Sequence, residues 1–127
     1  MAQQTQFLRA KTSQNLATGA LNFTTSFVGN FQLAQVLFGF SGSISQAQTV
    51  VFNSRDGAAY DATLDSNSLS SVTSYAYRPS GGCIFMDGDQ VTITLANSGT
   101  PAVTAYVTVI AEPLGQQAVG TISKPGL

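Results

Sequence analysis

The chain of 127 residues has no histidine, no tryptophan and a single cysteine, and it carries only five basic and six acidic side chains. Without histidine it lacks the commonest general base and the commonest metal ligand, and with Cys83 alone it cannot form an internal disulfide. Charged residues make up 9% of the chain, against about 25% in ordinary soluble domains. A net charge of -1 gives no long-range attraction to a phosphate backbone or an anionic lipid surface, so neither nucleic acid nor membrane is expected as a partner. The first ten residues contain no continuous apolar run behind a basic start, and the densest apolar stretch, residues 31–40, includes Gln32, Gln35 and Gly39. That stretch is far short of the roughly 20 residues needed to span a bilayer. The expectation is a soluble protein made in a cytoplasm. Cys83, within Gly-Gly-Cys-Ile-Phe-Met, has no basic neighbour to lower its pKa and reads as a buried, inert thiol.

The place of the missing charge is taken by serine, threonine, glutamine and asparagine, which supply 45 of the 127 residues. A neutral, hydroxyl-rich surface follows. The length suits one domain with a core of its own.

Apolar residues recur at a period of two, the signature of half-buried strands. In Gln90-Val-Thr-Ile-Thr-Leu-Ala, the apolar Val91, Ile93 and Leu95 alternate with polar residues, and residues 102–110 alternate again after the turn-forming Asn97-Ser-Gly-Thr-Pro. These two segments are expected to form a hairpin. Shorter stretches at 21–28, 31–40, 45–53, 58–64, 71–77 and 83–86 are separated by turn sequences such as Ser-Arg-Asp-Gly and Met-Asp-Gly-Asp. No window combines helical spacing with good helix formers. The pattern predicts an all-β, single-domain antiparallel β-sandwich, jelly-roll-like, of about eight strands.

The ends differ from the middle. Residues 1–20 and 112–127 carry irregularly placed apolar residues and are expected to be extended N- and C-terminal arms flanking a sandwich at 21–111. Phe7, Leu8, Leu114, Val119 and Ile122 would be the arms' anchors on a neighbouring subunit. A second apolar surface is expected on Leu33-Ala-Gln-Val-Leu-Phe-Gly-Phe40, which is apolar on both faces. If Leu33 and Leu37 point inward, Val36, Phe38 and Phe40 are left over for a partner.

Candidate chemistry is sparse. The acids Asp56, Asp61, Asp65, Asp87 and Asp89 lack the alternate spacing and distal Glu of an EF-hand loop, and Asp87-Gly-Asp89 reads as a turn entering the next strand. Nothing places two carboxylates across a cleft, and no phosphate loop, Gly-x-Ser-x-Gly elbow or Cys-x-x-Cys pair occurs. No catalytic, metal or cofactor-binding residue is assigned, and no enzymatic activity is expected. Tyr75 and Tyr77 share one strand face, which leaves sugar stacking as the rival to core packing for these rings.

Three segments, Thr49-Val-Val-Phe-Asn-Ser-Arg-Asp-Gly-Ala-Ala-Tyr-Asp-Ala-Thr-Leu64, Gly88-Asp-Gln-Val-Thr-Ile-Thr-Leu-Ala-Asn97 and Ala105-Tyr-Val-Thr-Val109, resemble the small β-sandwich structural proteins of tailed-phage virions, the capsid decoration or cement type above all. The resemblance covers roughly residues 45–110 in style, with no diagnostic motif. It implies a non-enzymatic virion protein, made in the host cytoplasm, that forms homo-oligomers and binds the major capsid protein or other virion proteins. A tail, fibre or connector component and a glycan-binding module are the alternatives.

Overall fold

In the computed structural model, which describes residues 7–81, 83–97 and 102–114, the period-two segments become strands of two sheets packed face to face. In chain order they are β1 (Leu8–Asn15), β2 (Leu21–Thr25), β3 (Phe31–Ile44), β4 (Ala47–Asn53), β5 (Ala62–Ser68), β6 (Val72–Tyr77), β7 (Cys83–Phe85), β8 (Gln90–Leu95) and β9 (Thr104–Pro113). A single 3-10 turn, Ala58–Tyr60, lies between β4 and β5. The first sheet runs β1-β9-β3-β6, with β7 continuing the β6 side of β3, and the second runs β2-β8-β4-β5. Every pairing is antiparallel. Apart from β4 to β5 and the short β7, successive strands change sheet, which is the strand order of a jelly roll.

Three expectations are corrected here. The segments 90–96 and 102–110 do not form a hairpin: β8 pairs with β2 and β4, whereas β9 pairs with β1 and β3 in the other sheet. Alternation shows that each strand has one buried face, and either sheet of a sandwich satisfies that demand.

Leu8–Asn15, assigned above to an arm, is a regular edge strand along β9, from Leu8 opposite Ala111 to Asn15 opposite Thr104. At the other end, β9 itself runs on to Pro113, two residues past the expected sandwich boundary.

Val36, Phe38 and Phe40 are not left over; all three are buried in the core with Phe31 and Leu33. The cause is a β-bulge. Leu33 pairs with Ala111 and Gln35 with Ile110, so Ala34 is an extra residue that reverses the parity of everything after it. Both halves of β3 thereby present their largest side chains to the same side. Burying each is worth about 1.5–3 kcal/mol, and the outward strip becomes Gln35, Leu37 and Gly39.

The remaining core comes from inward positions of the other strands, including Val50, Val91, Ile93, Leu95, Val107 and Val109. At one end it is closed by aromatics. Phe31 stacks on Phe85 with ring centroids 4.9 Å apart, and Phe27 and Phe52 meet these rings edge-on at 5.1 and 5.0 Å.

Candidate functional site

Above that aromatic layer lie the β2–β3 loop, the β4–β5 loop and the β7–β8 turn, joined by hydrogen bonds from acidic and amide side chains. Asp89, almost fully buried, accepts the Arg55 amide N–H on Oδ1 and the Met86 amide N–H on Oδ2, each at 2.8 Å. Asp87 Oδ1 accepts from the Gly29 amide, the Asp87 amide donates to Asn30 Oδ1, and Arg55 Nη1 donates to the Asp87 carbonyl. Asp61 Oδ1 accepts from the Ser54 amide. The turn at 86–89 closes with the Asp89 amide on the Met86 carbonyl, as its sequence led one to expect. Gly88 sits in it at φ 100°, a conformation side chains resist, with Arg55 carbons 3.3 Å from where a Cβ would be. Both Asp89 oxygens, and one oxygen each of Asp87 and Asp61, thus accept from loop N–H groups.

These fixed loops and the adjoining β7 present apolar side chains to solvent. Val28 is 97% exposed, Tyr60 67%, Ile84 57% and Met86 38%. Phe7, half exposed, precedes β1 at the same end, and Leu114 leaves β9 there with its amide on the Asn30 carbonyl. Five of the six large apolar side chains that stand exposed among the described residues therefore gather at one end; Tyr106 is the sixth. Asp56, Asp61, Asp87, Asp89 and Glu112 share this end, while the described residues of the connections opposite, 16–20, 45–46, 69–71, 96–97 and 102–103, include no charged residue. Of the anticipated interface residues, the structure brings Phe7, Leu8 and Leu114 to this end, with Leu8 packed against the core; Val119 and Ile122 lie outside the described residues. Val28, Tyr60, Ile84 and Met86 were not anticipated, because residues in or beside loops carry no periodicity.

A polar cluster occupies the opposite, open side of the sandwich, between the sheet edges β5 and β6. A second bulge, at Leu64, lets Asp65 and Asn67 both face inward, across from Val50 and Gln48. Tyr75 and Tyr77 face them from β6, opposite Phe38 and Val36, as their shared strand face requires. The Tyr75 hydroxyl donates to Asp65 Oδ2 at 2.7 Å, and Asn67 Nδ2 lies 3.0 Å from both Asp65 oxygens, 2.7 Å from the Tyr75 hydroxyl and 3.2 Å from Gln48 Oε1. Burial, then the Asp65 carboxylate, pushes the Tyr75 hydroxyl up to about 12. Burial also raises Tyr77, and beside it Cys83, a half-buried thiol packed against the core and held in its protonated form. Gln48 is fully buried and its Nε2 has no partner, an arrangement that costs about 1–3 kcal/mol.

The outer faces of the sheets differ. On the second sheet, Thr24 bonds Thr92 at 2.8 Å, Thr94 bonds Thr49, and Asn53 donates to Thr92, giving an uncharged lattice of hydroxyls and an amide. On the first, a shallow depression of about 310 Å3 lies between Lys11, Ser13, Tyr106 and Thr108. Among the described residues no helix is long and apolar enough to cross a membrane.

No family model and no curated protein matches the chain. Among solved structures it is similar to the core of Drosophila NLP, whose report concerns pentamer formation and histone binding, at 12% identity and a TM-score of 0.45 over 81% of this chain and 96% of that one. It is also similar to a chain of infectious bursal disease virus, Gx strain, at 13% identity and a TM-score of 0.46 over 89% of this chain. The chain spans about a third of that viral chain, 34%.

Proposed function

We propose that this chain is a non-enzymatic structural subunit of a virion, of the capsid decoration or cement type, which self-associates and attaches to the head lattice through its loop end. The observation that carries this reading is the gathering of Val28, Tyr60 and Met86, on loops tied together by Asp87 and Asp89, and of Ile84 on the adjoining β7, at the end that also holds Phe7 and Leu114. Exposed apolar side chains are costly unless a partner covers them. Loops already held by hydrogen bonds lose little freedom on docking. The neutral composition and the resemblance of residues 45–110 to phage decoration proteins support the same role. The partner is then the major capsid protein or a neighbouring virion protein, with Phe7, Leu114, Val119 and Ile122 as additional anchors.

The test is sedimentation of particles from producing cells. The full chain should travel with the particle. A chain lacking residues 1–6 and 115–127 should keep its β-rich circular dichroism and detach more readily. A full chain found only in the soluble fraction of particle-bearing lysates would overturn the proposal.

A further inference from the structure

The polar cluster on the open side has the composition of a ligand site. From its geometry we infer that the gap between β5 and β6 binds a neutral saccharide, with Asp65, Asn67 and Gln48 taking its hydroxyls and the Tyr75 and Tyr77 rings lining its apolar face. This does not depend on the virion reading.

Donors and acceptors here do not balance. Asn67 Nδ2 has two hydrogens but four acceptor atoms within 3.2 Å, namely both Asp65 oxygens, the Tyr75 hydroxyl and Gln48 Oε1. Gln48 Nε2, beneath it and fully buried, has two hydrogens and no acceptor. Gln48 Nε2 therefore needs a group that accepts from an amide, and Asp65, with two oxygens, can take a donor besides Tyr75 and Asn67. A hydroxyl does both with one oxygen. Asn67, Asp65 and Tyr75 are only half-buried, so a ligand reaches them from the open side; in the proposed complex Asn67 turns aside so that the fully buried Gln48 can take part. Tyr75 is fixed against Phe38 with ring centroids 5.7 Å apart, so its ring is held in place beside the cluster. With Asp65 as the one charged group inside the cluster, the site favours neutral sugars over acidic ones.

Saturation-transfer NMR with the full chain tests this, using the methyl glycosides of glucose, galactose, mannose and N-acetylglucosamine, with glucuronate as the acidic comparison. At least one neutral glycoside should bind saturably and glucuronate should not. Gln48→Leu, which fills the same volume without an unpaired donor, should melt no lower than the parent yet bind at least tenfold more weakly. Asn67→Ala should bind more weakly as well. Absence of saturable binding by all four neutral glycosides, or binding that survives both substitutions unchanged, would overturn the inference.

Discussion

The Tyr75 hydroxyl on β6 donates to Asp65 Oδ2 on β5 across 2.7 Å, joining the edge of one sheet to the edge of the other. No backbone ladder links these two strands, so on this side of the sandwich a side-chain bond ties one sheet edge to the other. Its energetic weight follows from its charge: a bond to a carboxylate is worth about 1.5–3 kcal/mol.

That bond makes the fold sensitive to alkali. Tyr75 holds its proton more tightly folded, at about 12, than at its ordinary 10.0, so its contribution is complete below pH 10 and disappears as pH rises through about 12. Tyr77 and Cys83 are shifted in the same direction, and Cys83, ordinarily at 9.0, starts the loss earliest. Urea unfolding between pH 8 and 12 should show stability falling from about pH 9 upward. Tyr75→Phe should lower stability by about 1–3 kcal/mol at pH 8 and flatten the upper part of that fall.

Asp89 accepts two backbone N–H groups while almost fully buried. Asp89→Ala leaves both donors unmet, and a loss of about 2–4 kcal/mol in urea unfolding is expected. Exhaustive chelation should leave the melting temperature of the parent unchanged. A drop of many degrees would show that these loops hold a cation.

The bulge at Ala34 makes Phe38 a core residue, so Phe38→Ser should destabilise the whole domain by about 3–5 kcal/mol. Leu37→Ser, one position along and outward, should cost far less. Equal effects of the two on the melting temperature would contradict the parity that Ala34 sets.

Gly88→Ala combines a positive φ with carbons of Arg55 at 3.3 Å, and a loss of about 1–3 kcal/mol is expected. Gly39→Ala, with open space around its Cβ position and an ordinary φ, is the matched substitution that should be neutral or stabilising. Thermal melts of both check it.

What the sequence made legible was the set of elements whose inward residues are apolar. Val91, Ile93 and Leu95 announce β8, and Val103, Ala105, Val107 and Val109 announce β9. β1 was hard to see because the alternation of Leu8 and Ala10 with Arg9 and Lys11 stops after four residues: Thr12, Ser13, Gln14 and Asn15 alternate in burial but are all polar. Asp65 and Asn67 were hidden for the same reason, being polar residues on an inward face beside a bulge. The bulge at Ala34 has no local mark, since alanine fits any position in a strand, and it alone inverted the assignment of Val36, Phe38 and Phe40. The loop end was visible only as turn sequences: Asp87-Gly-Asp89 marked the turn, but nothing local joined it to Arg55, Gly29 and Asn30.

Attachment through the loop end is tested most directly by release from the assembled particle between 0.1 and 1 M sodium chloride, over which the screening length falls from roughly 10 to 3 Å. The parent, Val28→Asp, Met86→Asp and, on the uncharged opposite end, Ser45→Asp are compared by sedimentation. An interface built on apolar burial holds or tightens in salt. The parent and Ser45→Asp should stay bound throughout, and the two loop-end variants should be released while still folded by circular dichroism. Release of the parent by salt, with Val28→Asp and Met86→Asp bound as firmly as the parent at 0.1 M, would contradict the account.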